Sequence, residues 1–480
     1  MDITTETISS LRKQLIAGDI EAVDIVEALD ERIKATEPSV HGYLRFDKER
    51  AIDQAKSADL SKPLGGIPIA IKDNINETDE FCTCGSKYLE SYRAPYNATV
   101  IERLKDAGAY CYGRTNMDEF AMGSSTEHSA FQKTNNPWDK DRIPGGSSGG
   151  SASVVGARSA IAALGSDTGG SIRQPAALCG CVGMKPSYGM VSRYGLVAFA
   201  SSLDQIGPFS RSVEDSALVL QAIAGYDPHE NTSCREPVPN FSEHLGKSVK
   251  DLKIGVPKEY FGEGIDPEVR ALVQKSIDWF SKEGAQVEET SLPHTKYAIA
   301  VYYIIATAEA SSNLARFDGV RYGHRTSEAT DPISTYLKSR EEALGTEVKR
   351  RIILGTYVLS SGYYDAYYNR AQKVRALMKH DFDEAFKDFD LIVSPTSPTT
   401  AFKAGERLDN PLQMYLADVF TIAANAAGIC ALSLPCGFTQ ENLPVGLQLM
   451  GPRYGEPTLF QASHAYEQAH DWWKTIPSIA

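Results

Sequence analysis

Residues 144–183 decide the fold, and they read P-G-G-S-S-G-G-S-A-S-V-V-G-A-R-S-A-I-A-A-L-G-S-D-T-G-G-S-I-R-Q-P-A-A-L-C-G-C-V-G. Two glycine–serine loops, Gly145–Ser151 and Asp167–Ser171, enclose a segment of small and apolar residues. This segment predicts a short helix over Ser153–Gly156 and a buried strand over Ser159–Gly165. The glycines let the backbone approach a ligand closely, and the serines bring hydroxyl groups into the same space.

The second loop has the features of an oxyanion-binding site. Its backbone N–H groups precede a predicted helix over Ile172–Leu178, and N–H groups in front of a helix favour negative charge. The four groups belong to Thr168, Gly169, Gly170 and Ser171. Two alternatives are a flexible linker and a phosphate-binding loop. A linker would not continue into an apolar segment, and no G-x-x-x-x-G-K-[ST] motif supports the phosphate-binding loop.

A lysine ends a predicted buried strand upstream of these loops. The strand covers Ile67–Ile71, and Lys72 follows it. Burial disfavours the charged form of an amine, so a lysine at this position can be neutral. A neutral amine can take a proton from a serine, directly or through a second hydroxyl. The alternative is a surface lysine that caps the strand, and the fragment by itself leaves both open.

Lys72 and the two glycine–serine loops together resemble the amidase signature family, which hydrolyses amides with a Ser–Ser–Lys triad. The resemblance implies that Ser171 is the nucleophile, that Lys72 is the base, and that the N–H groups of residues 168–171 form the oxyanion hole. It also implies that Ser147 is the bridging serine, behind a cis peptide bond with Gly146. Two further serines of the first loop are interpreted as residues that shape it, namely Ser148 and Ser151.

Three later stretches extend the resemblance over nearly the whole chain: Ala310–Gly323, Arg350–Tyr368 and Asp409–Pro452. They are similar to a branch of the family that hydrolyses glutamine and passes the ammonia to Glu-tRNA(Gln), and in some cases to Asp-tRNA(Asn). The resemblance implies a heterotrimer with two partners, the B and C subunits, in which the larger B partner makes most of the contact with tRNA. It implies no cofactor on this chain, with ATP and Mg on a partner.

Free glutamine carries a carboxylate and an ammonium group, so its capture needs one fixed cation and one fixed anion. The resemblance assigns Arg351 to the carboxylate and Asp418 to the ammonium group, with Tyr302 in the same pocket. The adjacent residues Arg350 and Tyr303 leave the register open by one residue at two of these positions.

Two other functions share part of this pattern. A free-standing amidase that acts on another small amide would need the same triad, although the glutamine-pocket residues and the later stretches favour glutamine. A catalytically inactive scaffold protein would not need the triad, and the intact Lys72, Ser147 and Ser171 argue against it.

The composition of the chain restricts which partners it can bind and where in the cell we expect it. The chain has 480 residues, of which 42% are hydrophobic, and a formal net charge of −13 at pH 7. The hydrophobic content is typical of a globular protein. An acidic surface repels the phosphate backbone, so we expect the chain to bind tRNA poorly by itself. The sequence predicts neither a signal peptide nor a membrane-spanning helix, and we expect a cytoplasmic protein.

The eight cysteines include two C-x-C pairs, Cys82/Cys84 and Cys179/Cys181. Structural zinc sites usually have C-x₂-C spacing, and no histidine closely follows either pair. Small buried thiols in a reducing cytosol are therefore favoured over a metal site.

Strand and helix patterns alternate along the chain, which predicts an α/β fold. We expect a single large amidase-signature domain with a central mixed β-sheet flanked by helices. Its parts would be a helical N-terminal part over residues 1–60, a signature core with the triad over 65–215, and a part with the substrate pocket and the remaining sheet over 250–480. Within the first part, His41–Ala58 is predicted to be helical.

Overall fold

An eleven-stranded mixed β-sheet organises the chain in the computed structural model, which describes residues 2–478. The strands are β1 (Tyr43–Arg45), β2 (Pro68–Lys72), β3 (Tyr110–Thr115), β4 (Ala162–Asp167), β5 (Val182–Lys185), β6 (Gln205–Ser210), β7 (Lys253–Pro257), β8 (Gln286–Thr290), β9 (Leu391–Pro395), β10 (Cys430–Phe438) and β11 (Pro444–Gly451). Their order across the sheet is β1-β3-β2-β4-β6-β5-β10-β11-β9-β7-β8.

Helices flank this sheet. They are α1 (Ile8–Ala17), α2 (Ala22–Val40), α3 (Lys48–Lys56), α4 (Thr99–Asp106), α5 (Gly149–Gly156), α6 (Arg173–Cys179), α7 (Val213–Ile223), α8 (Pro267–Lys282), α9 (Ala298–Asn313), α10 (Pro332–Ala343), α11 (Thr346–Leu359), α12 (Arg370–Asp388), α13 (Pro411–Leu416), α14 (Ile422–Ala427) and α15 (Glu456–Ala469). The described helices include none that is long and apolar enough to cross a membrane.

The strands that carry the signature residues are parallel neighbours. β2 pairs with β4, and Ile71 lies opposite Leu164. Parallel neighbours end at the same edge of a sheet. Lys72 at the end of β2 and the loop after Asp167 at the end of β4 therefore meet at one edge. From β4 to β9 the pairing is antiparallel, and β9, β7 and β8 are again parallel.

The elements predicted for the signature stretch are confirmed, with shifted ends. The first helix begins earlier, at Gly149, and the strand begins later, at Ala162. The prediction of a helical His41–Ala58 was wrong in its first third. Strand β1 occupies that part because it pairs with the sheet edge at β3, and helix α3 begins only after the cap at Asp47.

The sheet runs through all three expected parts of the domain without a break. β1 lies in the N-terminal part, β2 to β6 lie in the signature core, and β7 to β11 lie in the last part. One large buried cluster of apolar residues includes Ile69, Ile71 and Leu164. A second includes Tyr302 and Ile305 of α9. The division into three parts stays a prediction.

All eight cysteines are free thiols, and all except Cys234 are buried. The thiol of Cys179 donates to the carbonyl of Pro144, at 3.3 Å. Within residues 2–478, no three His, Cys, Asp or Glu side chains come together in a way that could hold a metal ion.

Candidate active site

Lys72 lies fully buried in a group of serine hydroxyls. Its Nζ donates hydrogen bonds to the Oγ atoms of Ser147 (2.8 Å), Ser148 (2.7 Å) and Ser166 (3.0 Å). Parallel pairing brings these groups together, because Ser166 lies on β4 and Lys72 ends β2. The amine thus has neutral oxygen partners at close range.

Burial also sets the protonation of this lysine. Loss of solvation disfavours the ammonium form and lowers the pKa of Lys72 to about 7. The carboxylates of Asp118, Asp167 and Asp204 act in the opposite direction. Near neutral pH, a substantial fraction of Lys72 is therefore an uncharged amine that can accept a proton.

The partners of the other serines decide which hydroxyl can give a proton to Lys72. Ser148 Oγ donates to the carbonyl oxygen of Ser166, at 3.1 Å. Ser166 Oγ accepts a second hydrogen bond from Asn74 Nδ2, at 3.0 Å. The Ser148 proton is therefore engaged, whereas Ser147 Oγ has no other hydrogen-bond partner in the described chain and can give its proton to a neutral Lys72.

Ser147 follows a cis peptide bond with Gly146, as the resemblance implied. Asp118 holds this turn, since its N–H donates to the carbonyl of Ser147 at 3.1 Å. The Asp118 carboxylate accepts from the N–H groups of Thr126 (2.9 Å) and His128 (3.1 Å). A Cβ atom at Gly146 would lie 2.2 Å from Asp118 Oδ2, so no larger residue fits.

The loop after β4 is held from inside by Asp167. The carboxylate accepts hydrogen bonds from the N–H groups of Gly170 (2.8 Å) and Ile172 (3.2 Å) and from Arg173 Nε (3.0 Å). Burial acts to raise the pKa of Asp167, but Arg173, Lys185 and Asn425 together outweigh it, and the pKa falls to about 2. Asp167 is therefore a permanent anion that shapes the loop.

This arrangement bears on the predicted oxyanion hole. The N–H of Gly170 is already bonded to Asp167. Among the described residues, the N–H groups of Thr168, Gly169 and Ser171 have no hydrogen-bond partner. The loop thus offers three free donors, one of them on the predicted nucleophile.

Ser171 differs from the other two predicted triad residues. It is 8% exposed, whereas Lys72 and Ser147 are fully buried. Its Oγ forms no hydrogen bond with the part of the chain that the structure describes. The structure brings Lys72 and Ser147 into direct contact and leaves the Ser171 hydroxyl free at the surface of the site.

Helix α11 directs Arg351 inward and Arg350 outward. Arg351 is 2% exposed, and its Nε donates to Glu347 Oε1 at 2.8 Å. Its guanidinium lies 5.2 Å from the ring centre of Tyr303 and 5.6 Å from that of Tyr415. Arg350 is partly exposed and pairs with the other oxygen of Glu347. Of the two arginines, Arg351 is thus the buried one.

Asp418 is buried, and only one of its two carboxylate oxygens has a hydrogen-bond partner among the described residues. Ser124 Oγ donates to its Oδ2, while Oδ1 has no hydrogen-bond partner among the described residues. Burial raises the pKa of Asp418 to about 7. Thr421 Oγ1 joins this residue to the loop after β4, because it donates to the carbonyls of both Asp418 (3.0 Å) and Gly169 (2.6 Å).

Tyr302 packs directly on the same loop. A Cβ atom at Gly169 would lie 2.8 Å from the Tyr302 ring, so only glycine allows this approach. Tyr303 instead stacks on Tyr415, with ring centres 3.7 Å apart. Tyr302 thus contacts the loop, and Tyr303 contacts the arginine.

Sequence reasoning missed several groups around Lys72. Ser148 was interpreted as shaping the loop, yet its hydroxyl lies 2.7 Å from the Lys72 amine. Ser166 was not singled out, although a parallel pairing of the two signature strands would have indicated it. Ser151 lies on helix α5, where its Oγ bonds to Thr115 Oγ1 (2.7 Å) and to the carbonyl of Leu164 (2.9 Å), and its role in shaping the loop stays a prediction.

The chain belongs to the Amidase family, whose family model matches residues 24–460. It is 57% identical to the A subunit of the glutamyl-tRNA(Gln) amidotransferase of Methylacidiphilum infernorum (isolate V4), over 98% of this chain and 96% of that protein. It is 53% identical to the protein of the same name from Heliobacterium modesticaldum, over the full length of both. The crystal structure of the same amidotransferase component from Thermotoga maritima superimposes with a TM-score of 0.86 at 42% identity, covering 100% of this chain and 99% of that one. The expected fold is thereby confirmed.

Proposed function

We propose that the chain is the glutamine-hydrolysing component of a tRNA-dependent amidotransferase. The 2.8 Å contact between Lys72 and Ser147, in a chain that matches amidotransferase relatives over its whole length, carries this proposal. The chain supplies ammonia that converts Glu-tRNA(Gln) to Gln-tRNA(Gln). Asp-tRNA(Asn) carries the same kind of carboxyl group and is a second candidate acceptor.

In the proposed reaction, Ser171 Oγ attacks the side-chain amide carbon of glutamine. The proton of Ser171 passes to Ser147, and the proton of Ser147 passes to the neutral Lys72. The free N–H groups at Thr168, Gly169 and Ser171 stabilise the oxyanion. The C–N bond then breaks, and ammonia leaves with the proton that Lys72 returns through Ser147. Water hydrolyses the γ-glutamyl ester by the same proton path and releases glutamate.

Substrate recognition uses two buried charges. Arg351 binds the α-carboxylate of glutamine, because a guanidinium matches a carboxylate in shape and charge. The free Oδ1 of Asp418 accepts hydrogen bonds from the α-ammonium group, and Tyr302 lies beside the oxyanion loop in the same pocket. A bound ammonium group also favours the ionised form of Asp418.

The ammonia must be used on another chain. The net charge of −13 opposes tight tRNA binding by this chain. The relatives are each named as one lettered component of an amidotransferase, which supports a complex of several chains. We infer a heterotrimer with the B and C subunits, in which the B partner binds tRNA, and ATP and Mg are used on a partner. A tRNA substrate supports a cytoplasmic location.

The test of the site is to trap the acyl intermediate. The chain is incubated with glutamine, quenched in acid, and analysed by mass spectrometry of the intact protein and of its peptides. We expect an added γ-glutamyl group on the peptide that contains Ser171. The Ser151→Ala variant serves as the control, and it should form the same ester. An ester on another residue would contradict the proposed role of Ser171.

The test of the partners is reconstitution. Glutaminase rate and tRNA affinity are measured for the chain alone and for the complex with the B and C subunits. We expect weak tRNA binding by the chain alone and a higher glutaminase rate in the complex, because partners and acylated tRNA order the site. Identical rates in both preparations, or tight tRNA binding by the chain alone, would favour a free-standing amidase.

A further inference from the structure

A polar cavity of about 250 Å³, separate from the candidate active site, opens beside the edge strand β1 and its neighbour β3. None of the triad or glutamine-pocket residues lines it. Its volume corresponds to about eight water molecules at their share of the liquid, which suits a small ion or metabolite. Four arginines line it, namely Arg45, Arg50, Arg93 and Arg114.

Two of these arginines face the cavity without a carboxylate partner among the described residues. Arg45 and Arg93 both stack on the ring of Phe81, with their guanidinium carbons 4.3 and 4.0 Å from the ring centre. Arg45 Nη1 is buried and has no hydrogen-bond partner within residues 2–478. Like charges on one ring repel each other, and an anion between them would remove that repulsion.

Arg114 supplies a donor that is almost fully buried. The residue is 3% exposed. Its Nε donates to Asp73 Oδ1 at 3.1 Å, and its Nη2 donates to the carbonyls of Ile75 (2.7 Å) and Lys72 (3.4 Å). Its Nη1 is buried without a hydrogen-bond partner in the described chain. The guanidinium that braces the Lys72 strand end therefore has one nitrogen left for a ligand.

The acidic side chains of the lining are already engaged. Arg50 Nη2 bonds to Glu77 at 2.6 Å, and its Nη1 pairs with Glu80. Asp47 is exposed and caps helix α3 by accepting from the N–H of Arg50 at 3.0 Å. Arg50 carries one charge against two glutamates, so these acids are engaged in hydrogen bonds but not fully neutralised, and the four arginines and three acids leave the lining a formal charge of +1. The unsatisfied groups of the lining are mainly donors, with Gln54 Oε1 as a buried acceptor.

We propose that this cavity binds a small oxyanion, a phosphate or carboxylate group, through Arg45, Arg93 and Arg114. The anionic oxygens accept hydrogen bonds from the two unpartnered Nη1 atoms. A hydroxyl or N–H group of the ligand donates to Gln54 Oε1. The site does not depend on the proposed glutaminase reaction, because it shares no residue with the triad or the glutamine pocket.

The experiment titrates the full chain with inorganic phosphate and, separately, with succinate, with sodium chloride at equal ionic strength as the reference. Calorimetry measures the Kd, and thermal unfolding measures the rise in Tm that a ligand of the folded state produces. We expect saturable one-site binding of at least one anion. Binding of phosphate but not succinate would identify a site for phosphate groups, and binding of succinate but not phosphate would identify a site for carboxylates. Binding of both would identify a general oxyanion site.

Variants locate the binding. Arg45→Gln and Arg93→Gln should each raise the Kd by about tenfold or more, since each removes one charge from the cavity. The matched control is Arg235→Gln, because Arg235 is exposed like Arg93 and stacks on an aromatic ring, with its guanidinium carbon 5.2 Å from the ring centre of Tyr226, but lies outside the cavity. The Kd of the Arg235→Gln variant should stay within about twofold of the wild-type value. No saturable binding of either anion beyond chloride would overturn the proposal. An unchanged Kd in Arg45→Gln would also overturn it, as would a loss of affinity in Arg235→Gln equal to that in the cavity variants.

Discussion

The surroundings of the proposed catalytic base, Lys72, and those of the proposed substrate pocket are built in opposite ways. Around Lys72, the close partners are neutral hydroxyls, and burial lowers the pKa of the amine to about 7. In the pocket, Arg351 is held by the carboxylate of Glu347, and its pKa stays above the usual range despite burial. The first region makes a charge easy to lose, which suits proton transfer. The second keeps a charge fixed, which suits recognition of a charged substrate.

This difference separates two kinds of kinetic effect. A group that acts only in the transition state changes kcat, and a group that binds ground state and transition state equally changes KM. Substitutions around Lys72 should therefore lower kcat with little change in KM. Substitutions of the pocket charges should mainly raise KM.

The largest effect is expected for Ser171→Ala. Glutamine hydrolysis should fall by about 10⁴-fold or more, because no covalent intermediate can form. Transamidation driven by added ammonia should persist in the assembled enzyme, since we propose that this chemistry lies on another chain. The measurement compares the two activities in the same preparation. Glutaminase activity like that of the wild type would remove Ser171 from the mechanism.

Lys72→Arg keeps the positive charge and should still lower kcat by about 10³-fold, because a guanidinium cannot act as a base at neutral pH. Lys185 provides a matched control. It is also fully buried, burial lowers its pKa to about 8, and its Nζ donates to the carbonyl of Pro186.

Lys185→Met should therefore keep kcat within about threefold per folded molecule, even if stability changes. Circular dichroism would establish the folded fraction. If both lysine variants lost activity equally, burial rather than contact with the serines would explain the result. Substantial activity in Lys72→Arg would mean that the residue serves only as a cation.

The two adjacent arginines test the pocket. Arg351→Gln should raise the KM for glutamine by about 100-fold, as expected for loss of a buried charged hydrogen bond. Arg350→Gln should change it by less than about threefold, because the Arg350 side chain is partly exposed and Glu347 keeps its contact with Arg351 in this variant. Steady-state kinetics of both variants gives the comparison. Equal effects would contradict the assignment of the carboxylate site to Arg351.

Asp418→Asn tests the ammonium site. The KM for glutamine should rise by about tenfold or more, because a neutral amide no longer attracts the α-ammonium group. Amides that lack an α-amino group should be affected far less. The control is the ratio of kcat/KM for the two substrate types in the wild type and in the variant. An equal loss of kcat/KM for both substrate types would show that Asp418 does not bind the ammonium group.

The smallest effect is a pH dependence. Lys72 acts as a base only when deprotonated, so kcat should reach a plateau above its pKa of about 7. One unit below that pKa, kcat should be about tenfold lower. The Asp418 carboxyl, with its pKa raised to about 7, must also lose a proton before it binds an ammonium group. The profile of kcat/KM should therefore fall more steeply on the acid side than that of kcat.

Asp418→Asn should remove the additional steepness and leave the kcat profile unchanged. Rates measured at saturating and at low glutamine, from about one unit below to about two units above the Lys72 pKa, would separate the two groups. A kcat that does not change over this range would contradict a neutral Lys72.

The elements predicted with success are those with a strong local pattern. Helix α6 ends at Gly180, which takes the left-handed conformation, and β2 is a short apolar run. β6 was missed, because Gly207 and Pro208 interrupt a strand that is buried along its whole length. β1 was missed because only pairing with β3 makes its three residues a strand.

The sequence alone determined the signature loops and the α/β class, because glycine–serine spacing and apolar runs are local properties. The triad residues follow only from the resemblance to the amidase signature family, and that assignment stays a prediction. The tertiary structure decided three things that no local pattern contains. The parallel pairing of β2 with β4 brings Ser166 beside Lys72. The turn of α11 buries Arg351 rather than Arg350. Asp167 occupies the Gly170 N–H and leaves three donors free. Each depends on contacts between residues far apart in the chain or on which side of a helix meets the core, and only the folded chain creates those contacts.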